Sequence, residues 1–182
     1  MKNLFALLLL TSVSLCAQSE TLDLGSRGRL TIYLPGDWRI DTTNFARQGT
    51  MTISPKREEV NASCTIAISI PEGDRFDTKP RLKLRVEADC RSLAEGSVEK
   101  KAVAKEFALS SGYGFYCSFT DPDLRGQAPQ KGNYKVMSTG KIRLASDVLV
   151  DVSIMADDFR GEPYQQLLGA VEGMEFVAGR GR

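Results

Sequence analysis

The chain has 182 residues, 24 basic and 23 acidic, and no histidine. A formal charge of +1, mixed along the sequence, gives no basis for electrostatic capture of nucleic acid or an anionic membrane. Without histidine the chain lacks the usual general base near neutral pH, the Ser-His and Cys-His nucleophile pairs, and the commonest zinc ligand.

The opening MKNLFALLLLTSVSLCAQSE places Lys2 before an apolar run at 4–10 and then small polar residues. That order predicts a secretory signal over residues 1–19, cleaved near 17–19, and a periplasmic or secreted protein. The run is too short for a membrane span, which needs roughly 20 residues, and no later run is longer. Leu15 stands before Cys16, where a lipidation signal needs a small residue, so simple export is the stronger reading. Removing the leader takes away Lys2 and leaves 23 charges of each sign. The remaining residues suit one domain, 20–176, with a basic tail at 177–182.

In GRLTIYLP (28–35), Leu30, Ile32 and Leu34 alternate with polar positions, a strand pattern stopped by Pro35-Gly36. Trp38 and Ile40 continue an apolar edge; a lone Trp there is most simply a core plug with its indole N–H bonded at the rim, and otherwise a candidate contact surface. TMTIS (50–54) and SCTIAISI (63–70) read as strands, the second with Cys64, Ile66, Ile68 and Ile70 on one face, as in an antiparallel sheet wetted on its other side. Asn61-Ala-Ser63 matches the glycosylation sequon, which matters only in a eukaryotic secretory pathway.

From Lys79 to about Leu93 the period becomes helical through Leu82, Val86, Cys90 and Leu93, with Asp77 or Thr78 as cap and Gly96 as stop. The basic residues between them spread round the helix as a solvated face. Residues 98–109 and 113–120 read as two strands. In the second, Tyr113, Phe115, Cys117 and Phe119 share one side and Tyr116 takes the other. A further strand pair covers 133–144 and 147–155, turning near Ala145-Ser146. Val148, Val150, Val152 and Ile154 share a face, and Leu149 predicts partial cover on the opposite one. A last helix starts near Glu162 or Pro163 with Tyr164, Leu167, Leu168 and Val171 as its apolar stripe, after which Met174 and Phe176 pack back on the sheet. The expected fold is α+β: an antiparallel sheet of about six to seven strands with two main helices packed on it.

That order, with LTIYLPGDWRI near the start, DVLVDVSIMADDF before the last helix and the closing LLGAVEGMEF, resembles the PsbP-like superfamily in its exported bacterial branch. The resemblance spans nearly the whole mature chain and rests on structural motifs. It implies an antiparallel sheet with packed helices and, since members are generally non-enzymatic, a binding or assembly role. The best known members use His and acidic residues in particular loops. This chain has no His, so no site residue is carried over.

Cys64, Cys90 and Cys117 all fall on predicted core faces. Export favours one disulfide among them, with Cys90–Cys117 the preferred pairing because it joins helix to sheet; the other pairings stay open. A nucleophilic Cys needs an activating base, and three dispersed Cys do not make a zinc site. The GYGFYC segment lacks the third glycine of a dinucleotide loop, and phosphate-loop and Gly-x-Ser-x-Gly patterns are missing.

The segment DPDLRGQAPQKG (121–132) invites a calcium reading. Asp121, Asp123 and Gly126 occupy ligand and turn positions, but Arg125 stands where a ligand belongs and Gly132 where a glutamate is required. A looser oxygen site would need Asp157 and Asp158 to converge on the loop. The stronger reading is a long polar hairpin connection, stiffened by Pro122 and Pro129, with Asp121, Asp123 and Arg125 as a candidate contact surface. No cofactor, metal or catalytic set is expected. The leading expectation is an exported non-enzymatic domain with a protein-binding or accessory role in the cell envelope. The alternatives are a small-ligand protein with a pocket lined by Tyr113, Tyr116 and Trp38, and an enzyme using Asp, Glu, Lys or Tyr.

Overall fold

A computed structural model of the chain describes residues 17–71 and 76–179. Most of the expected leader, including Cys16, and the end of the expected tail lie outside the described residues.

The alternation in GRLTIYLP makes β2 (Gly28–Pro35), with Leu30, Ile32 and Leu34 buried. β1 (Ala17–Asp23) pairs with it antiparallel, so residues 17–19, read as the leader's end, lie in a strand. On the other side of β2 lies β10 (Glu175–Ala178), which gives a three-stranded sheet in the order β1-β2-β10. Sequence reasoning missed β10, which is too short to show a period. It takes Val177 and Ala178, the first residues of the expected tail, into the sheet.

The main sheet collects β3 (Trp38–Asp41), β4 (Thr50–Pro55), β5 (Ala62–Ser69), β6 (Lys105–Glu106), β7 (Tyr113–Thr120), β8 (Val136–Ala145) and β9 (Val148–Ala156). It is antiparallel throughout, in the order β3-β4-β5-β9-β8-β7-β6. The α+β class and the seven-stranded sheet agree with the sequence reading. Residues 98–109 do not: only Lys105 and Glu106 join the ladder. Ahead of that pair the segment leaves the sheet, with Val98 and Val103 39% and 60% exposed and Lys100 turning through φ 57°, while Phe107 just after it is buried in the inner core.

The helices are α1 (Phe45–Gln48), α2 (Lys79–Asp89), α3 (Arg91–Gly96) and α4 (Glu162–Glu172). The single helix expected to Leu93 is therefore two. Thr78 caps α2 by accepting from the Arg81 N–H at 3.4 Å, and the break falls at Cys90. It turns Ala94 inward and leaves Leu93 40% exposed.

Each strand's period of two sends side chains to two separate cores. On the inner face Ile53, Cys64, Ile66, Val150, Val152 and Ile154 meet Leu30, Ile32 and Trp38, with Tyr164, Leu167 and Val171 of α4. On the outer face Phe115, Cys117, Phe119 and Leu149 lie under Leu82, Val86, Cys90 and Ala94 of α2 and α3. Tyr116 falls in the inner core and Tyr113 against the outer one, as the alternation in YGFYCSFT predicts.

A candidate binding cleft between helix α3 and the 121–135 connection

Beyond the last rung of β7 and β8 the connection stays narrow at its base, where the Asp121 N–H donates to the Lys135 carbonyl at 2.8 Å. Asp121 Oδ1 accepts from the Asp123 N–H at 2.8 Å, a turn that aspartate makes with its own backbone. The Gln127 side chain donates to the Asp123 carbonyl at 2.6 Å, and the Lys135 ammonium donates to the Gln127 carbonyl. Gly126 and Gly132 take φ 78° and 84°, left-handed values that suit glycine.

Asn61, at the entry to β5, holds the far end of this connection. Its Nδ2, with two hydrogens, lies 2.9 Å from Asp157 Oδ1 and 3.2 and 3.1 Å from the Gln130 and Asn133 carbonyls, two of these acceptors sharing one hydrogen, while its Oδ1 accepts from the Gly132 N–H at 2.9 Å. The connection is thus folded down onto the sheet end.

Between this wall and α3 lies a cleft of about 540 Å³. Leu93 and Ser97 line the helix side, Asp121, Asp123 and Leu124 the loop side, and Phe119, Met137 and Met155 the floor. The floor is one cross-strand row: Phe119 pairs with Met137, and Met137 with Met155. Beside the helix, Glu99 accepts from the Thr120 N–H at 2.8 Å and from its hydroxyl at 2.7 Å. Desolvation alone would raise the Glu99 carboxyl, but these hydrogen bonds outweigh it and hold the group below its ordinary value.

The sequence-predicted contact residues separate in space. Asp121 and Asp123 reach the cleft rim. Arg125 is exposed on the same connection but does not line the cleft. Trp38 is a correction: only 1% exposed, it offers no contact surface, and its indole N–H donates to Gln166 Oε1 at 2.7 Å. It is the core plug, bonded at its rim.

The expected ligand pocket of Tyr113, Tyr116 and Trp38 is also corrected. Trp38 and Tyr116 lie in the inner core, where Tyr116 packs on Phe107 at 4.5 Å between ring centroids. Tyr113 is on the opposite face of the sheet, donating to the Phe76 carbonyl at 2.9 Å. No cavity joins opposite faces of one sheet.

Asp157 is engaged by Asn61, and Asp158 accepts from the Arg160 N–H at 3.0 Å. Among the described residues no group of three or more His, Cys, Asp or Glu is placed to hold a metal ion, and no helix is long and apolar enough to cross a membrane.

Sequence reasoning missed Asn61, Leu93, Met137, Met155 and Glu99. Asn61 carried only its sequon, and Leu93 sat in a helical period that breaks three residues earlier, at Cys90. Cys64, Cys90 and Cys117 are buried thiols, and Cys90 and Cys117 belong to one core cluster on the outer face. Burial pushes the Cys64 thiol up to about 12.

No family model and no curated protein matches the chain. Among solved structures, the Saccharomyces cerevisiae Ran-binding protein Mog1p is similar at 14% identity with a TM-score of 0.48, over 90% of this chain and 97% of that one. A mutant of protein Mog1 is similar at 15% identity with a TM-score of 0.48, over 88% and 96%.

Proposed function

We propose that the protein is an exported, non-enzymatic domain of PsbP-like type that binds a partner protein in the cell envelope, holding a segment of it in the cleft between α3 and the 121–135 connection. The observation that carries this reading is the floor row Phe119–Met137–Met155, which runs beyond its helical cover beside the 40% exposed Leu93. Methionine thioethers are polarizable and unbranched, so such a floor adapts to side chains of several shapes.

The rim selects by charge. Asp121 and Asp123 stand at the edge, while Lys135, the cation of the lining, is engaged by the Gln127 carbonyl. The occupant is therefore a peptide segment with apolar side chains next to a lysine or arginine. Val98, 39% exposed and tied to the Thr120 carbonyl at 3.0 Å, extends the apolar surface past the cleft edge, which suits a macromolecule better than a small ligand. Export rests on the leader, and the absence of catalysis on the missing histidine and on the resemblance.

The test is crosslinking in the native host at natural protein level, with mass spectrometry of the adduct. The expected result is one dominant partner, joined through an apolar segment beside a basic residue. That adduct disappears when residues 121–132 are replaced by a short Gly-Ser turn and also in Leu93→Asp. An adduct that survives both changes in exported, folded protein overturns the proposal, as does a blank.

A further inference from the structure

Cys90 is the joint of the outer helical cover: it ends α2 and precedes α3. Beneath it, Cys117 lies on β7 with its side chain in the same core cluster. The Cys90 thiol points at the Thr139 carbonyl, with Sγ at 3.9 Å, and Thr139 is the cross-strand partner of Cys117. Both sulfurs thus lie in one core cluster beside the same rung of the β7–β8 ladder. Cys64 belongs to the inner core, on the other side of the sheet, and is out of reach of both.

We propose that Cys90 and Cys117 are a reversible dithiol–disulfide pair whose oxidation ties the α2–α3 joint to β7 beneath the cleft. A second observation supplies the route in. A cavity of about 110 Å³ lies beside Cys90, lined by Asp89, Thr139, Lys141 and Asp151; Cys90 is 2% exposed and Cys117, which does not line it, has no exposure, so Cys90 is the sulfur nearer to solvent. The roles follow from the environment. The hydrogen bond from Cys117 lowers the Cys90 thiol and, with burial, raises its own. Lys141 also favours the Cys90 thiolate, while Asp89 opposes it. Since the cavity reaches Cys90 and not Cys117, Cys90 is the attacking sulfur and Cys117 the resolving one.

The oxidant is a small-molecule disulfide, RSSR. The Cys90 thiolate attacks one sulfur, the RS–SR bond breaks, and the departing thiolate takes up a proton to leave as RSH. Cys117 then gives up its proton and attacks Cys90 Sγ in the mixed disulfide. The bond to the R-bearing sulfur breaks, and a second RSH leaves. Two protein thiols are oxidised and one RSSR is reduced to two RSH. The bridge is independent of whether the cleft has a partner, but it bears on the wall that Leu93 builds.

The test equilibrates the purified exported protein with glutathione redox mixtures, traps free thiols by alkylation, and maps peptides without reduction. The expected products are one 90–117 linked peptide, Cys64 still alkylated, and a melting temperature raised by roughly 5–10 °C. Cys64→Ala keeps the bridge, and Cys117→Ala stops at a glutathione adduct on Cys90. If Cys117→Ala does not fold, mapping of the wild type and of Cys64→Ala still decides the matter. The proposal is overturned by full alkylation of Cys90 and Cys117 at the most oxidising ratio, by a wild-type adduct that never resolves, or by a bridge through Cys64.

Discussion

The two faces of the main sheet differ in how completely they are covered. The inner face packs against α4, the small sheet and Phe107, and Ile53, Cys64, Ile66, Val150 and Ile154 have no exposure. The outer face divides. Its β7 side lies under α2, while its far side carries the half-buried row Thr52, Thr65, Ser153 and Thr139, paired strand to strand. One rung along, the composition changes before the cover does: Phe119 is 4% exposed, but Met137 and Met155 are only half-buried. Where apolar side chains outrun the element that should bury them, a surface is left for something else. A row of hydroxyls needs no such partner, because water satisfies it.

This contrast can be broken by substitution. Trp38→Ala should cost about 3–5 kcal/mol, since it empties a fully enclosed site and leaves Gln166 Oε1 without its indole donor, as read by urea unfolding. Leu82→Ala should cost about 2–5 kcal/mol and fall mainly on α2; amide exchange over residues 79–96 should speed up more than over β5 and β9. A uniform loss of protection would mean that the two cores unfold as one.

At the cleft the effects on stability become smaller and those on binding larger. Asn61→Ala removes all four polar contacts to the connection and to Asp157. About 1–3 kcal/mol is expected, with faster exchange at the Gly132 amide and a weakened partner adduct. Unchanged exchange there would show that Asn61 does not hold the wall.

Acid should act on the same region. The Glu99 carboxyl is depressed below its ordinary 4.5, so its contribution is fully present above that value and is lost as pH falls through the lower folded pKa. A Glu99→Gln variant should lack this part of the acid slope; an identical slope would remove Glu99 from the account. The smallest stability effect belongs to Leu93→Ala, within about 0.5 kcal/mol, although it should weaken partner capture.

Much of the contrast was legible in the sequence. Alternation in SCTIAISI and YGFYCSFT assigned the faces correctly except at Ile70, which lies past the end of β5 and is 55% exposed, and Leu149 inside VLVDVSIM revealed the second covered face. What escaped was whatever depends on where an element stops. The helical period continues through Leu93, but the backbone turns at Cys90, so a residue with core spacing ends on the cleft wall. Met137 and Met155 look like any alternating strand residues until the end of α3 is known. Asn61 acts through four contacts 69–96 residues away in sequence, beyond any local pattern.

The most direct measurement places a photoreactive amino acid at position 155 in one variant and at position 52 in another, two positions on the same sheet face, and compares adducts in the native host. One dominant partner from position 155 and none from position 52 is the predicted result. Equal capture at both positions, or capture at position 52 alone, would contradict the claim that the uncovered end of the apolar row is the binding surface.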